Sequence, residues 1–215
     1  MVYSHNMVRA ICLLCFVAWV PSAADGMMAA QKAKPKTQAS AVKTSLDVAC
    51  PADLGTGVKS KRPLCDVIVA TDPAAGIVMR IPPHTGKTTL RFDLHNRFAV
   101  AAPLPFARAS ALVAVLNGNS GALIERAAVL GELRKELDLF DRIAGAGPGA
   151  TKAVAPGRAQ PVTISVPATV TSISIVGVRV EVTTIDGRTE STTMGRPVAI
   201  ASNFRIEYTP AAVVK

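Results

Sequence analysis

Thr171-Ser172-Ile173-Ser174-Ile175-Val176, then Val178-Arg179-Val180-Glu181-Val182-Thr183-Thr184-Ile185, then Asp186-Gly187 and Arg188-Thr189-Glu190-Ser191-Thr192-Thr193 decide the fold of this 215-residue chain. The runs are short and rich in β-branched residues, whose stiff side chains pack well on a pleated surface. Asp186-Gly187 between two of them is a hairpin signal, because the glycine accepts the positive φ that a tight two-residue turn requires. Pro161 to Val166 precedes this block, and Pro197 to Ala201 and Phe204 to Thr209 follow it as further strands. In Phe204-Arg205-Ile206-Glu207-Tyr208 the alternation is strict, which sends Phe204, Ile206 and Tyr208 to a core and leaves Arg205 and Glu207 on the other face.

The same pattern extends backwards. Asp66 to Ala70 and Gly76 to Ile81 flank Thr71-Asp72-Pro73-Ala74-Ala75, a turn of Asp, Pro and small residues, and Pro82-Pro83 stops the second run. Thr88 to Leu94 places Leu90, Phe92 and Leu94 on one side of a strand and Arg91 and Asp93 on the other. Ser110 to Leu116 ends in Asn117-Gly118-Asn119-Ser120-Gly121 and restarts at Ala122, as a hairpin does. Ala122 to Ile143 has helix propensity along its whole length, so one long helix competes with a strand to about residue 132 followed by a helix over Arg134 to Ile143. The second reading is preferred, because the Asn-Gly loop demands a returning strand and Leu137, Phe140 and Ile143 form an apolar stripe. Gly145, Gly147, Pro148 and Gly149 would end that helix. About ten short strands and one short helix near 134–143 predict a mainly β chain, an antiparallel β-sandwich of jelly-roll type.

The N-terminus reads as an address. Arg9 precedes the apolar run Ile11 to Val20 and the small-residue exit Pro21-Ser22-Ala23-Ala24, the composition of a secretory signal peptide cleaved before Asp25. The run is too short to span a bilayer, which takes roughly 20 apolar residues. Residues 25–48 are expected to be a disordered basic linker carrying Lys32, Lys34, Lys36 and Lys43, residues 49–210 the sandwich domain, and 211–215 a tail. Removing the leader takes away Trp19, Tyr3, Cys12 and Cys15, leaving Tyr208 and the pair Cys50 and Cys65. In an oxidising compartment such a pair is a disulfide. The formal charge of +9 favours anionic envelope polymers or headgroups as surroundings. The scarcity of aromatic residues disfavours sugar stacking and single-stranded nucleic-acid binding.

Few motifs carry chemistry. Gly86-Lys87-Thr88 resembles the end of a phosphate loop, but Ile81 stands where that motif needs a glycine and a strand follows instead of a helix, so it reads as a turn. Asp93 and His95 share a strand face, and with His84 they form the one candidate catalytic group, a carboxylate–imidazole pair with a second base or ligand. No nucleophile elbow or metal-spaced histidine motif accompanies them, and no metal or cofactor is expected. Glu132, Glu136, Asp138 and Asp141 read as ion-pairing residues on the expected helix, interleaved with Arg134, Lys135 and Arg142. Arg97, Arg142 and Arg196 each sit beside a turn and form a candidate anion-binding patch.

Pro82-Pro83-His84, Phe92 to Arg97, Asp141-Arg142-Ile143, Gly147-Pro148-Gly149, Lys152 to Pro156, Gly195-Arg196-Pro197 and Phe204 to Tyr208 together resemble an uncharacterised type of secreted bacterial protein, over about residues 50–210. The resemblance implies an envelope location and one domain, and brings no activity with it. The sequence therefore points to a secreted or periplasmic, non-enzymatic binding or assembly module of the bacterial cell envelope. Its partner would be a protein or an anionic envelope polymer, not nucleic acid, with no transmembrane segment in the mature chain. The competing expectation is a small hydrolase or metal-dependent enzyme built on His84, Asp93 and His95.

Overall fold

Thirteen strands order the chain in the computed structural model, which describes residues 40–100 and 107–212. They are β1 (Val42–Ser45), β2 (Val48–Ala49), β3 (Asp53–Thr56), β4 (Pro63–Ile68), β5 (Ile77–Arg80), β6 (His84–Ala99), β7 (Ala107–Asn117), β8 (Leu123–Leu133), β9 (Val154–Pro156), β10 (Gln160–Val166), β11 (Ser172–Thr184), β12 (Gly187–Ser191) and β13 (Pro197–Pro210). The chain is mainly β, and its strand pairs are antiparallel. One sheet runs β10-β6-β13-β4-β3, with β1 beside β13 and β9 beside β6; the other runs β2-β5-β11-β7-β8, with β12 beside β11. The expected leader lies outside the described residues. The expected linker boundary at residue 48 moves forward: Val42–Ser45 pairs with Arg205–Tyr208, and Val48–Ala49 pairs with β5.

Period-two alternation explains the core. Leu90, Phe92 and Leu94 of β6 are buried with Phe204 and Ile206 of β13, and from the second sheet come Val113, Val115, Ile173 and Ile175. Phe92 and Phe204 stack with centroids 6.1 Å apart, and Tyr208 packs partly buried against this cluster. A disulfide joins Cys50, directly after β2 of the second sheet, to Cys65 on β4 of the first. Gly177 marks a closer approach of the two sheets. A Cβ there would lie 2.5 Å from Val198 and 3.0 Å from the backbone of Ile68, and β11 shifts register beside it.

The hairpins form where turn chemistry demands them. The Asn117 side-chain oxygen accepts from the backbone N–H groups of Asn119 and Ser120, Gly121 takes φ 71°, and β8 returns along β7 to Leu133. Gly187, at φ 135°, pairs with Thr184 to close β11 on β12. The Asp72 carboxylate accepts from the N–H of Ala74 in the turn between β4 and β5. Gly86-Lys87-Thr88, expected as a turn, lies instead within β6, where Gly86 takes φ 73° near a register shift against β13.

The expected helix over Arg134 to Ile143 is absent. Residues 136–138 make one 3-10 turn, held by the Asp138 carboxylate on the N–H groups of Arg134 and Lys135. The apolar stripe dissolves because its members go to different places: Leu137 is 84% exposed, Phe140 packs tilted against His95, and Ile143 is buried with Leu54, Leu64 and Ile200. Extended chain satisfies this segment better than a helix, since Phe140 N–H donates to Pro156 and the carbonyls of Arg142 and Ile143 accept from Val58 and Lys152. The excursion from 139 to 157 thus covers one half of the outer face of the first sheet and leaves the other half open.

Candidate functional site

β6 runs through both halves of that outer face, and odd-numbered residues 91 to 97 point onto it. Under the excursion lies His95, 0% exposed. Its Nδ1 is 2.9 Å from the carbonyl oxygen of Gly157 and its Nε2 is 3.0 Å from Ser202 Oγ. A carbonyl can only accept, so Nδ1 carries the proton, Nε2 is the acceptor and the Ser202 hydroxyl donates to it. Burial pushes the imidazole below its ordinary pKa, against the upward pull of the Gly157 carbonyl and of Asp93. A hydroxyl donating to an imidazole is the arrangement of an activated nucleophile. Here both side chains are sealed, with Ser202 also 0% exposed and the Phe140 ring 4.9 Å from His95.

Asp93 does not join them. Its Oδ2 accepts from Arg62 Nη1 at 3.0 Å and from Asn203 Nδ2 at 2.9 Å. His84 stands at the start of β6, opposite Pro210, with Nδ1 2.9 Å from the carbonyl of Pro82. Nine residues of extended strand, about 3.3 Å each, separate it from Asp93. The three candidate catalytic residues are therefore not in one cleft. Among the described residues, no group of three or more His, Cys, Asp or Glu is placed to share a metal ion.

The candidate arginine patch is also divided. Arg97 donates from Nε to Asp66 at 2.9 Å. Asp66 is held above its ordinary pKa by burial, in spite of the opposing pull of Arg97 and Lys152. Arg142 is paired with Glu136. Arg196 is exposed and shares with Arg97 the lining of an apolar pocket of about 260 Å³ between the two sheets, beside Phe98, Leu133 and Val182. Asp141, expected as a helix-surface residue, is buried and accepts from the N–H groups of Lys59, Ser60 and Arg142. Burial pushes its carboxyl up, but these hydrogen bonds and one from the Ser60 hydroxyl outweigh it, leaving the pKa below its ordinary value.

The open half of the same face carries charges that the motif search did not single out. Arg205 lies directly across from Arg91, Ser45 across from Arg205, and Lys43 across from Glu207. These residues line a basin of about 380 Å³. Glu207 is 3.5 Å from Lys43 and 4.0 Å from Arg91; among the described residues, no carboxylate pairs with Arg205. The signal was legible in part, since alternation already turned Arg91 and Arg205 outward. What was not legible is that β6 and β13, more than a hundred residues apart, are neighbours.

A bulge makes the neighbourhood work. Ser202 faces Asp93 and Arg205 faces Arg91, so three steps on β13 match two on β6, and Asn203 absorbs the extra residue at φ 58°. Asn is one of the few side chains at ease in that conformation. Without the bulge, strict alternation would put Ser202 and Arg205 on opposite faces.

No protein-family model matches the chain, and no protein of curated function matches it in sequence. Among solved structures it is similar to the K1 cleaved adhesin domain of Lys-gingipain from Porphyromonas gingivalis W83, at 6% identity and a TM-score of 0.34, over 80% of this chain and 99% of that one. Among the described residues no helix is long and apolar enough to cross a membrane.

Proposed function

We propose that this chain is a non-enzymatic binding module of the bacterial cell envelope, carried out of the cytoplasm by residues 1–24 and working as a two-sheet sandwich of jelly-roll type. The observation that carries the reading is the division of the outer face of the first sheet. His95 and Ser202, the pair equipped for acid–base chemistry, are spent on internal hydrogen bonds under the excursion, and Asp93 on Arg62 and Asn203, whereas the accessible side chains of the open half are cations and hydroxyls suited to contact. A catalytic base must reach the proton it abstracts, and a fully buried His95 reaches only Ser202 and Gly157. The stretch 25–39 acts as a basic tether that adds nonspecific attraction to anionic surfaces.

Expression with the leader, followed by co-sedimentation with isolated envelopes over a salt series, tests this reading. The expected result is an N-terminus at Asp25, sedimentation with envelopes at low salt and release as screening grows. Retention of an unprocessed chain in the cytoplasm, or no association with envelopes at low salt, would overturn it.

A further inference from the structure

The basin of Lys43, Arg91 and Arg205 contains a cost that the fold does not explain. Like charges directly opposite on neighbouring strands destabilise a sheet, yet Arg205 of β13 sits across from Arg91 of β6. A single carboxylate, Glu207, lines the basin with the three cations, and it pairs with Lys43 and Arg91 but not with Arg205. Lys43 is 76% exposed and Arg91 56%, so both are free to turn toward a ligand. The cations come from three adjacent strands, β1, β13 and β6, which spreads them across two strand spacings of about 4.8 Å each. Ser45 at one end of the Arg205–Arg91 row and Thr163 at the other supply hydroxyls on the same face.

We infer that this basin binds an acidic polysaccharide, with the guanidinium groups of Arg91 and Arg205 taking carboxylate groups of the sugar chain and Ser45 and Thr163 hydrogen-bonding its hydroxyls. Guanidinium matches a planar carboxylate with two parallel hydrogen bonds. The spread favours a polymer over one small anion, since a lone oxyanion would need its donors to converge. The lining contains no aromatic side chain, which removes the stacking platform that single-stranded nucleic acid uses. The inference rests on the binding-module reading and adds the ligand class and the contact residues to it.

Affinity electrophoresis of the full chain, in native gels containing polygalacturonate or neutral dextran, tests it. The wild-type chain is expected to be retarded by polygalacturonate and not by dextran. The double variant Arg91→Gln/Arg205→Gln is expected to bind about tenfold more weakly, from two exposed charge contacts, while melting at no lower temperature, because a like-charge pair is relieved. Arg126→Gln/Arg179→Gln, with the same charge change elsewhere, is expected to bind as wild type. Should the double variant fail to fold, Glu207→Gln decides the matter: it removes the competing carboxylate and is expected to bind roughly threefold tighter. Equal weakening by both double variants, no change in either, or weaker binding by Glu207→Gln would overturn the proposal. Tighter retardation by duplex DNA than by polygalacturonate, with the same dependence on Arg91 and Arg205, would overturn it too. If wild-type chain sediments with envelopes but polygalacturonate retards it and Arg91→Gln/Arg205→Gln equally, the basin fails and the module reading stands; if wild-type chain ignores envelopes, the module reading itself fails.

Discussion

His95 has one neutral form that fits its site, since Gly157 fixes the proton on Nδ1 and Ser202 occupies Nε2. Protonation would turn Nε2 into a donor, so the serine hydroxyl would have to swing its own proton away and accept, and the new charge would sit in a buried space. Its pKa in the fold lies below the ordinary value of 6.5. The unfolded chain therefore binds the proton first as pH falls, so stability contributed by neutral His95 is fully present above about pH 6.5 and declines below it. Asp66 runs the other way, because its pKa is raised and the folded chain gains protons before the unfolded one. Denaturant titrations of His95→Gln should show a flatter loss of stability between about pH 6.5 and 5 than wild type; a parallel profile would contradict this role. Gly177 is the second sensitive residue. Gly177→Ala should cost about 1–3 kcal/mol, because its Cβ meets Val198 and the Ile68 backbone where the sheets approach, and an unchanged denaturation midpoint would refute that. Neither was legible in the sequence. His95 could be placed on a face with Asp93, but what covers it comes from residues 140 and 157, and nothing local in Gly177 announces a neighbour from another sheet.

Elements were legible where the cause is local. The alternation in β6 and β13 and the Asn117–Gly121 loop act over a few residues and appear where expected; the hairpin expected at Asp186-Gly187 forms one residue earlier, with Ile185-Asp186 as the turn and Gly187 already paired in β12. The helix over 134–143 failed for the opposite reason. Propensity and a 3.6-residue stripe are weak when tertiary contacts compete, and here Phe140, Asp141 and Ile143 each dock on a different partner. Ile143→Ala should therefore cost about 2–5 kcal/mol by emptying the cluster with Leu54, Leu64 and Ile200, whereas Leu137→Ala, on an exposed side chain, should be close to neutral. Equal effects of the two in thermal melts would restore the helical stripe. The disulfide belongs to this scale as well, because it ties β2 of one sheet to β4 of the other. With a separation of 15 residues, replacing both cysteines by serine should remove about 3 kcal/mol in the chain-entropy model, read as a lower denaturant midpoint; no shift would mean that the staple is idle.

At the scale of the molecule, two sheets share one core and differ outside it. The first has an outer face half roofed by the 139–157 excursion and half open, and β6 crosses from one half to the other. The roofed half absorbs His95 and much of the candidate anion patch into structure, and the open half presents the cations. Composition foretold a basic protein but not where its charge would gather, since Lys43, Arg91 and Arg205 are scattered along the chain and meet only through the pairing of β1, β13 and β6. The asymmetry predicts where a ligand must act. Backbone amide chemical-shift mapping of the full chain during titration with oligogalacturonate tests this most directly. The account predicts shifts concentrated at residues 43–45, 89–91, 163 and 205–207, with the amides of His95, Gly157 and Ser202 unmoved. Shifts centred on His95, Gly157 and Ser202, or none at saturating oligosaccharide, would contradict it.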